Sequence, residues 1–220
     1  HDGFGVFELT AKDGDSMYAM SSDMPTLKFK MPLVAVSGLS LAVDASNDIL
    51  SYNVLGQNSL GILKLFAESH GRILQQRALN KLQDTLSIKN YPDGILQLKL
   101  CASDAKILSK RLVFIDNHIG EQKWTVTTDQ PSYDNGANVK LSIALKDNTN
   151  HPMNGDFSVC ITDNSQYTVD NERDNIVSNL LLTSELKQSV WHAGWYFGAN
   201  DEQHRQALDL LMMTSNNNYY

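Results

Sequence analysis

Cysteine is scarce in this chain: its 220 residues include two, Cys101 and Cys160. Two cysteines are too few for a disulfide framework. The 42% of hydrophobic residues can bury a core without one. Each cysteine stands in a strand-like run, on the side opposite the alternating apolar residues. We therefore expect two unpaired thiols on outward strand faces of separate domains, and cysteine usage does not fix the compartment.

Basic charge and long apolar runs are also lacking. The chain has 18 Lys and Arg against 25 Asp and Glu, a net charge of -7. Phosphate contacts need a concentrated positive face, so nucleic-acid binding is not expected. No apolar run is long enough for a membrane helix, so we expect no span in this segment. No basic-then-apolar leader precedes residue 10, so we expect any targeting signal to have been removed or to lie upstream.

Helical periodicity is missing up to about residue 163, where apolar residues alternate with period two. Short strand-like runs recur every 8–12 residues between turns rich in Gly, Asp, Asn and Pro. One pair, 61–68 and 72–79, reads as a hairpin joined at His70-Gly71. Such spacing predicts antiparallel sandwiches. A parallel sheet would need helical crossovers, which this region does not offer.

The pattern restarts near residue 117, which predicts a domain boundary there. After residue 163 the period changes to a helical one. Asp174 is the expected N-cap of a first helix with Ile176, Leu180 and Leu181 on one face. A second helix is predicted over 201–213, with an apolar stripe. We expect both helices to cover the sheet of the last domain. The members of that stripe are Ala207, Leu208, Leu211 and Met212.

Residues with recognisable chemistry are few. The six histidines lack the spacing of a helical zinc site, and no Gly-x-Ser-x-Gly elbow is present. The acidic turns at 13–15 and 129–134 do not fit an EF-hand loop. We therefore expect no catalytic residue, no cofactor and no metal. Trp191, Trp195 and Tyr196 are the candidate contacts for a ligand or partner, because aromatic faces bind sugars and proteins well. The alternative is that these rings pack the helices onto the sheet.

Four stretches of the chain, considered together, resemble a known family. They are similar to the macroglobulin-like β-sandwich region of Gram-negative cell-envelope proteins related to TonB-dependent outer-membrane receptors. The fourth stretch is the most specific, because generic sandwich physics does not dictate it. The stretches are 1–7 with Gly14 and Tyr18; 67–72 with 92–96 and 111–114; 128–133 with 139–147 and 157–163; and 175–187 with 195–197 and 208–214.

The resemblance implies consecutive immunoglobulin-like or macroglobulin-like sandwiches in an all-β chain, with two α-helices near the C-terminus. Residues 1–43 would be the terminal strands of an upstream sandwich, 44–117 a complete sandwich, and 118–220 a third one with the helical addition. Neither cysteine stands in a Cys-Gly-Glu-Gln thioester element, so the chain resembles scaffold domains and not the reactive one.

The function expected from these observations is that of a non-enzymatic structural or binding segment of a bacterial cell-envelope protein, associated with a receptor. Its location would be the periplasm or the outer membrane. Its partners would be other domains of a larger envelope protein, or a protein partner. One alternative is a carbohydrate-binding module that uses Trp191, Trp195 and Tyr196 as its platform. Another is an accessory domain of an enzyme, for which the sequence offers no residue.

Overall fold

The structure, a computed structural model, describes residues 5–7, 9–10, 12, 14–34, 37–46, 48–56, 61–117, 123–147, 149–159, 161–162, 165 and 170–216. The described residues form two compact units. The first contains those up to Asn117 together with those from Asn171 onward, and the second contains those between. Strands in antiparallel sheets dominate both units, which confirms the expected all-β class.

Nine strands of the first unit form three antiparallel sheets, with strand orders β1-β2, β3-β4-β7 and β6-β5-β8-β9. The short loops between sequential strands favour this antiparallel pairing, since hairpins need only a few residues. The strands are β1 (Tyr18–Met20), β2 (Lys28–Lys30), β3 (Leu39–Ser46), β4 (Ile49–Gly56), β5 (Lys64–Ser69), β6 (Arg72–Ala78), β7 (Gln83–Ser87), β8 (Gly94–Cys101) and β9 (Ile107–Ile115).

The three-stranded and four-stranded sheets share one hydrophobic core. Leu50 and Tyr52 of β4 contribute from one sheet, and Leu96, Leu98 and Leu100 of β8 contribute from the other. Alternation along β8 points these three leucines to the same side, as period two requires. Their burial is nearly complete, so they anchor a sandwich-like arrangement of the two sheets.

The chain after Asn171 adds helices to this unit. The elements are α1 (Ile176–Ser178), a π-helix that continues it (Asn179–Thr183), a 3₁₀-helix (Trp195–Phe197) and α2 (Glu202–Thr214). Asn175, and not Asp174 as expected, is the N-cap of α1, because its side chain accepts from the backbone N–H groups of Val177 and Ser178. Asp201 is the N-cap of α2, close to the predicted start. The two expected helices near the C-terminus are thus present.

The second unit contains β10 (Lys123–Thr128) paired with β11 (Leu141–Lys146). The polar loop after β11 returns at Pro152, which forms a bridge with Lys146. Alternating apolar residues predict strands over 123–128 and 157–162. Strand β10 confirms the first, whereas the described residues of the second form no strand.

The observed domain organisation differs from the expected one in two places. Strand β3 runs through the expected division at 43/44 and pairs with β4 from Leu39 to Ser46, so it belongs wholly to the shared core. The segment from Asn171 onward groups with the first unit and not with the residues after 118. The expected packing of the helices on the last domain's sheet is therefore wrong. The physical reason lies in the apolar outer face of β8 and β9, which the helices cover.

Candidate functional site

The residues 171–216, called here the C-terminal segment, cover the outer face of β8 and β9 in the four-stranded sheet. Ile95 of β8 and Leu112 of β9 point away from the shared core and form a second hydrophobic cluster with this segment. Leu208, Leu211 and Met212 of α2 enter that cluster, because spacings of three and four place them on one face of the helix. The apolar stripe predicted for this helix is thus buried, on a different sheet from the one expected.

Two polar contacts between the sheet and the C-terminal segment supplement this hydrophobic cluster. The guanidinium of Arg111 on β9 donates a hydrogen bond to the carboxylate of Asp209 on α2, at 2.7 Å between Nη2 and Oδ1. The carboxyl of Glu185, which follows the π-helix, lies 3.1 Å from the imidazole of His70, measured between Oε1 and Nε2. Both pairs join residues about a hundred positions apart, so no local sequence motif announces them.

The three aromatic residues proposed as a ligand platform lie in different environments. Tyr196 is buried in the second cluster, and Trp195 packs against that cluster. Trp195 also stacks on the ring of His204, with centroids 4.3 Å apart. Trp191 is 71% exposed. These rings do not form a shared open face, so the packing interpretation describes Trp195 and Tyr196 better.

His70 occupies the tight turn between β5 and β6. It has φ of +50°, and Gly71 after it has φ of +72°. Two successive positive φ values are what a two-residue hairpin of the I′ type requires. Residues that adopt positive φ are otherwise rare, and Gly at the second position accommodates it freely. The turn directs the imidazole toward the C-terminal segment, where it meets Glu185.

Ser69, His70 and Glu185 form a continuous line of polar contacts. The Ser69 hydroxyl lies 2.9 Å from Nδ1 of His70, and Nε2 of the same ring lies beside Glu185. The fold thus brings an acid beside a serine and a histidine from which it is far apart in the sequence, although Glu185 Oε1 accepts no hydrogen bond from the described residues. Ser69 itself is buried, so its hydroxyl is not presented to an incoming substrate.

The environment of Glu185 is unusual for a carboxylate. Its side chain is 3% exposed. Burial raises its pKa, because the charged form loses its hydration, while the positive form of His70 acts in the opposite direction. Gly94 of β8 lies beside the carboxyl, since a Cβ at this position would be in ordinary contact with Glu185 Oε1 at 3.7 Å and would press on the carbonyl of Leu181 at 3.3 Å. Gly94 also has φ of +111°.

A second polar cluster surrounds Asp174 at the start of α1. Its carboxylate accepts hydrogen bonds from the Ser178 hydroxyl at 2.6 Å and from the Thr183 hydroxyl at 3.2 Å. The hydrogen bond from Ser178 contributes most to holding the pKa of Asp174 below its ordinary value. A bond from the Asn179 amide contributes in the same direction. A shallow cavity lies beside it, lined also by Gln188 and Val190. These donors are side chains of the same short helical stretch, so the cluster stabilises that stretch.

The second unit has one apolar and one polar side. Cross-strand partners Trp124 and Leu145, and then Val126 and Ile143, share a face. Phe157 packs edge-on against Trp124, with ring centroids 5.5 Å apart. Thr125 and its neighbours occupy the opposite face. Trp124, Val126 and Phe157 remain exposed despite these contacts, so the described part of this unit covers the face only in part.

The remaining predicted residues do not assemble into a centre. Each described histidine lies near one carboxylate, as in His204 with Asp201 at 2.6 Å and His192 with Glu172 at 3.5 Å. Among the residues that the structure describes, no three His, Cys, Asp or Glu side chains are placed to hold a metal ion. No helix within the described ranges is long and apolar enough to cross a membrane. Outside the described residues lie His1, Asp13, His118, Cys160 and Asp163.

Cys101 lies at the end of β8 and is a free thiol. Cys101 is not part of the shared core, as strand alternation predicts. It is buried, however, and does not lie on an exposed strand face. Burial raises the pKa of this thiol, which disfavours the reactive thiolate. The pairing state expected for the two cysteines stays a prediction, because Cys160 is not among the described residues.

No protein-family model matches this chain, and no curated protein matches it.

Proposed function

We propose that this chain is a non-enzymatic structural or binding segment, built on an immunoglobulin-like sandwich, that attaches to another β domain. The observation that carries the proposal is the apolar face of the β10–β11 ribbon. Two-stranded ribbons are marginal in water unless a further layer covers their apolar side. Val126 and Trp124 on this face are exposed, so the face is available to a second sheet.

The strand order of the first unit supports the immunoglobulin-like part of the proposal. Three strands face four, and both sheets are antiparallel. Seven strands in two facing antiparallel sheets are typical of immunoglobulin-like sandwiches. Strands β5 and β6 form one hairpin of the larger sheet and β8 and β9 form another, with β7 in the opposite sheet.

The non-enzymatic part is supported by the burial of the groups that chemistry would use. Ser69 is buried beside His70, and Cys101 is buried with a raised pKa. A nucleophile that cannot be approached supplies no catalysis. The cell-envelope location, the association with a receptor and the partner domains are proposed on the sequence resemblance alone. The burial of Tyr196 argues against the carbohydrate-binding alternative.

The test compares two substitutions on opposite faces of one strand. Val126→Lys places a charge on the apolar face, and Thr125→Lys places the same charge on the polar face. Binding of the dye anilinonaphthalene sulfonate and sedimentation at rising protein concentration measure how available the face is. We expect Val126→Lys, and not Thr125→Lys, to lower dye binding and self-association by several-fold. Equal dye binding by wild type and both variants, with β structure retained by circular dichroism, would overturn the proposal.

A further inference from the structure

The C-terminal segment is held on the sheet by a contact whose charge state can change. The apolar contacts of the hydrophobic cluster beneath it, such as those of Leu211 and Ile95, do not respond to pH. The pair of Arg111 and Asp209 stays charged across the neutral range, since guanidinium does not lose its proton there. The pair of His70 and Glu185 is different, because Glu185 is 3% exposed and its burial raises the pKa of the carboxyl. It therefore supplies a titratable point of attachment.

The geometry of the contact accommodates more than one protonation state. The Ser69 hydroxyl lies 2.9 Å from Nδ1 of His70, and Nε2 lies 3.1 Å from Glu185 Oε1, an atom that accepts no hydrogen bond from the described residues. The carboxyl can therefore gain or lose a proton without breaking a hydrogen bond at that oxygen. What changes between these states is the charge that remains buried, because Glu185 is almost fully covered while His70 is 46% exposed.

The charged groups around the carboxyl are few. His70 is the group that the β5–β6 turn brings to it, and β8 presents the uncharged Gly94. Beyond that turn lies Arg72, and Asp93 before β8 accepts from the backbone N–H of Asn117. On the C-terminal segment itself, Lys187 follows by two residues, and on α2 the carboxylate of Asp209 is engaged by Arg111.

We propose that the contact between His70 and Glu185 makes attachment of the C-terminal segment proton-dependent, tight in mild acid and looser as the pH rises. When the pair loses its proton, an uncompensated carboxylate stays buried against a neutral ring. Detachment of the segment relieves that cost by returning the carboxylate to water. It also uncovers the apolar residues Ile95, Leu112 and Phe114 on the outer sheet face. Exposure of this face is thereby coupled to pH.

Hydrogen exchange of the whole chain tests the proposal. The reporters are backbone amides within the segment, such as Lys187 N–H, which donates to the carbonyl of Asn216. The internal reference is the core amide of Val54, which donates to the carbonyl of Leu82. Protection factors, which divide out the intrinsic pH dependence of exchange, are measured between about pH 4.5 and pH 8.5. We expect the protection of the segment relative to the reference to fall several-fold across this range, because the buried carboxyl must lose its proton as the pH rises.

Two variants separate this mechanism from a general loss of stability. Glu185→Gln keeps the shape of the side chain but cannot ionise, so the relative protection of its segment should be independent of pH. Glu172→Gln is the matched control, since that carboxylate lies near His192 at 3.5 Å but is itself 56% exposed. It should behave as wild type. Should Glu185→Gln fail to fold, His70→Gln serves instead. It removes the group that acts against the raised pKa of Glu185, so the relative protection of its segment should fall with rising pH at least as steeply as in wild type.

The proposal is overturned if wild-type relative protection is flat with pH, or if Glu185→Gln keeps the wild-type slope. It is equally overturned if the relative protection of His70→Gln is flat with pH. The dye experiment on Val126 measures how exposed the apolar face of the second unit is, whereas these amides lie in the first unit. Failure of this inference is therefore distinguishable from failure of the proposed function.

Discussion

Asp209 of α2 accepts a hydrogen bond from Arg111 of β9 although nearly a hundred residues separate them, and the two are unequally covered. The Arg111 side chain is 11% exposed and the Asp209 side chain is 48% exposed. Arg111 also donates to the carbonyl of Leu112, at 2.6 Å. The guanidinium thus lies in the interface between α2 and the sheet, and the carboxylate contacts it from the solvent-exposed edge of that interface.

We predict that Asp209→Ala destabilises the first unit by about 1 kcal/mol. Hydrogen bonds to charged groups contribute about 1.5–3 kcal/mol, but a half-exposed partner is screened by water. Asp209→Asn keeps an acceptor for Arg111 and should lose less. Urea unfolding of both variants checks this. Equal loss in the two variants, or none in either, would mean that the ion pair contributes nothing to docking.

Leu211→Ala should cost about 2–5 kcal/mol, the usual range for truncating a buried leucine. Leu211 is 2% exposed in the cluster beneath the C-terminal segment. Because that cluster belongs to the first unit, the loss should appear in the unfolding of the sandwich and not in the β10–β11 ribbon. Met213→Ala is the control, since Met213 lies on the same helix and is 59% exposed. Its effect should stay below about 0.5 kcal/mol. A similar loss in both variants would show that α2 is not docked as described.

The strands and the second helix could be predicted from sequence because their signals are local. Alternation in β8 places Leu96, Leu98 and Leu100 together, and the stripe ending at Met212 has helical spacing. What covered the outer face of β8 could not be predicted in the same way. Ile95 and Leu112 carry no mark of their partner, and the partner lies after an intervening unit of the chain.

The candidate site shows the same limit more sharply. His70 could be assigned to a turn from the following Gly71, but its partner Glu185 stands 115 positions later in the chain. Generic carboxylates and histidines are abundant, so pairing them needs the tertiary fold. The aromatic cluster at 191–197 was visible as unusual composition. Its division into a buried Tyr196 and an exposed Trp191 depends on the sheet beneath it, which composition does not specify.

Gly194→Ala should loosen the start of the C-terminal segment. A Cβ at this position would stand 2.2 Å from the carbonyl oxygen of Arg173 and 2.6 Å from that of Asn171. Contacts this short with backbone atoms force a shift, and overpacking typically costs about 1–3 kcal/mol. The Gly194 N–H also donates to the carbonyl of Glu172, so the same displacement would break that bond. Thermal unfolding and the exchange of the Gly194 and Phe197 amides measure the effect.

Gly5→Ala is the matched control for that substitution. Nothing lies within 4 Å of the corresponding Cβ position at Gly5, so this variant should unfold like wild type within about 0.5 kcal/mol. If Gly194→Ala were as stable as Gly5→Ala, the tight approach of residues 171–173 to Gly194 would be wrong.

The polar cluster at Asp174 should make the C-terminal segment sensitive to acid in the opposite sense to Glu185. Hydrogen bonds from Ser178 first, and from Asn179 and Thr183 as well, lower the pKa of Asp174 in the folded chain. A carboxyl whose folded pKa is depressed binds protons more weakly when folded. Its stabilisation is therefore present above the ordinary Asp pKa of about 3.9 and is lost as the pH falls through the lower folded pKa.

We accordingly expect wild type to lose more stability than Asp174→Asn between about pH 5 and pH 2. Asparagine keeps an oxygen that can accept from the Ser178 hydroxyl, but it does not titrate. Asp174 is exposed, so the difference between the two proteins should be only a few tenths of a kcal/mol to about 1 kcal/mol. Urea unfolding at each pH, followed by circular dichroism, gives the measurement. Ser178→Ala should shrink the difference as well, because it removes the shortest hydrogen bond to the carboxylate, 2.6 Å. Parallel acid profiles for wild type and Asp174→Asn would remove Asp174 from the groups that stabilise this helical turn.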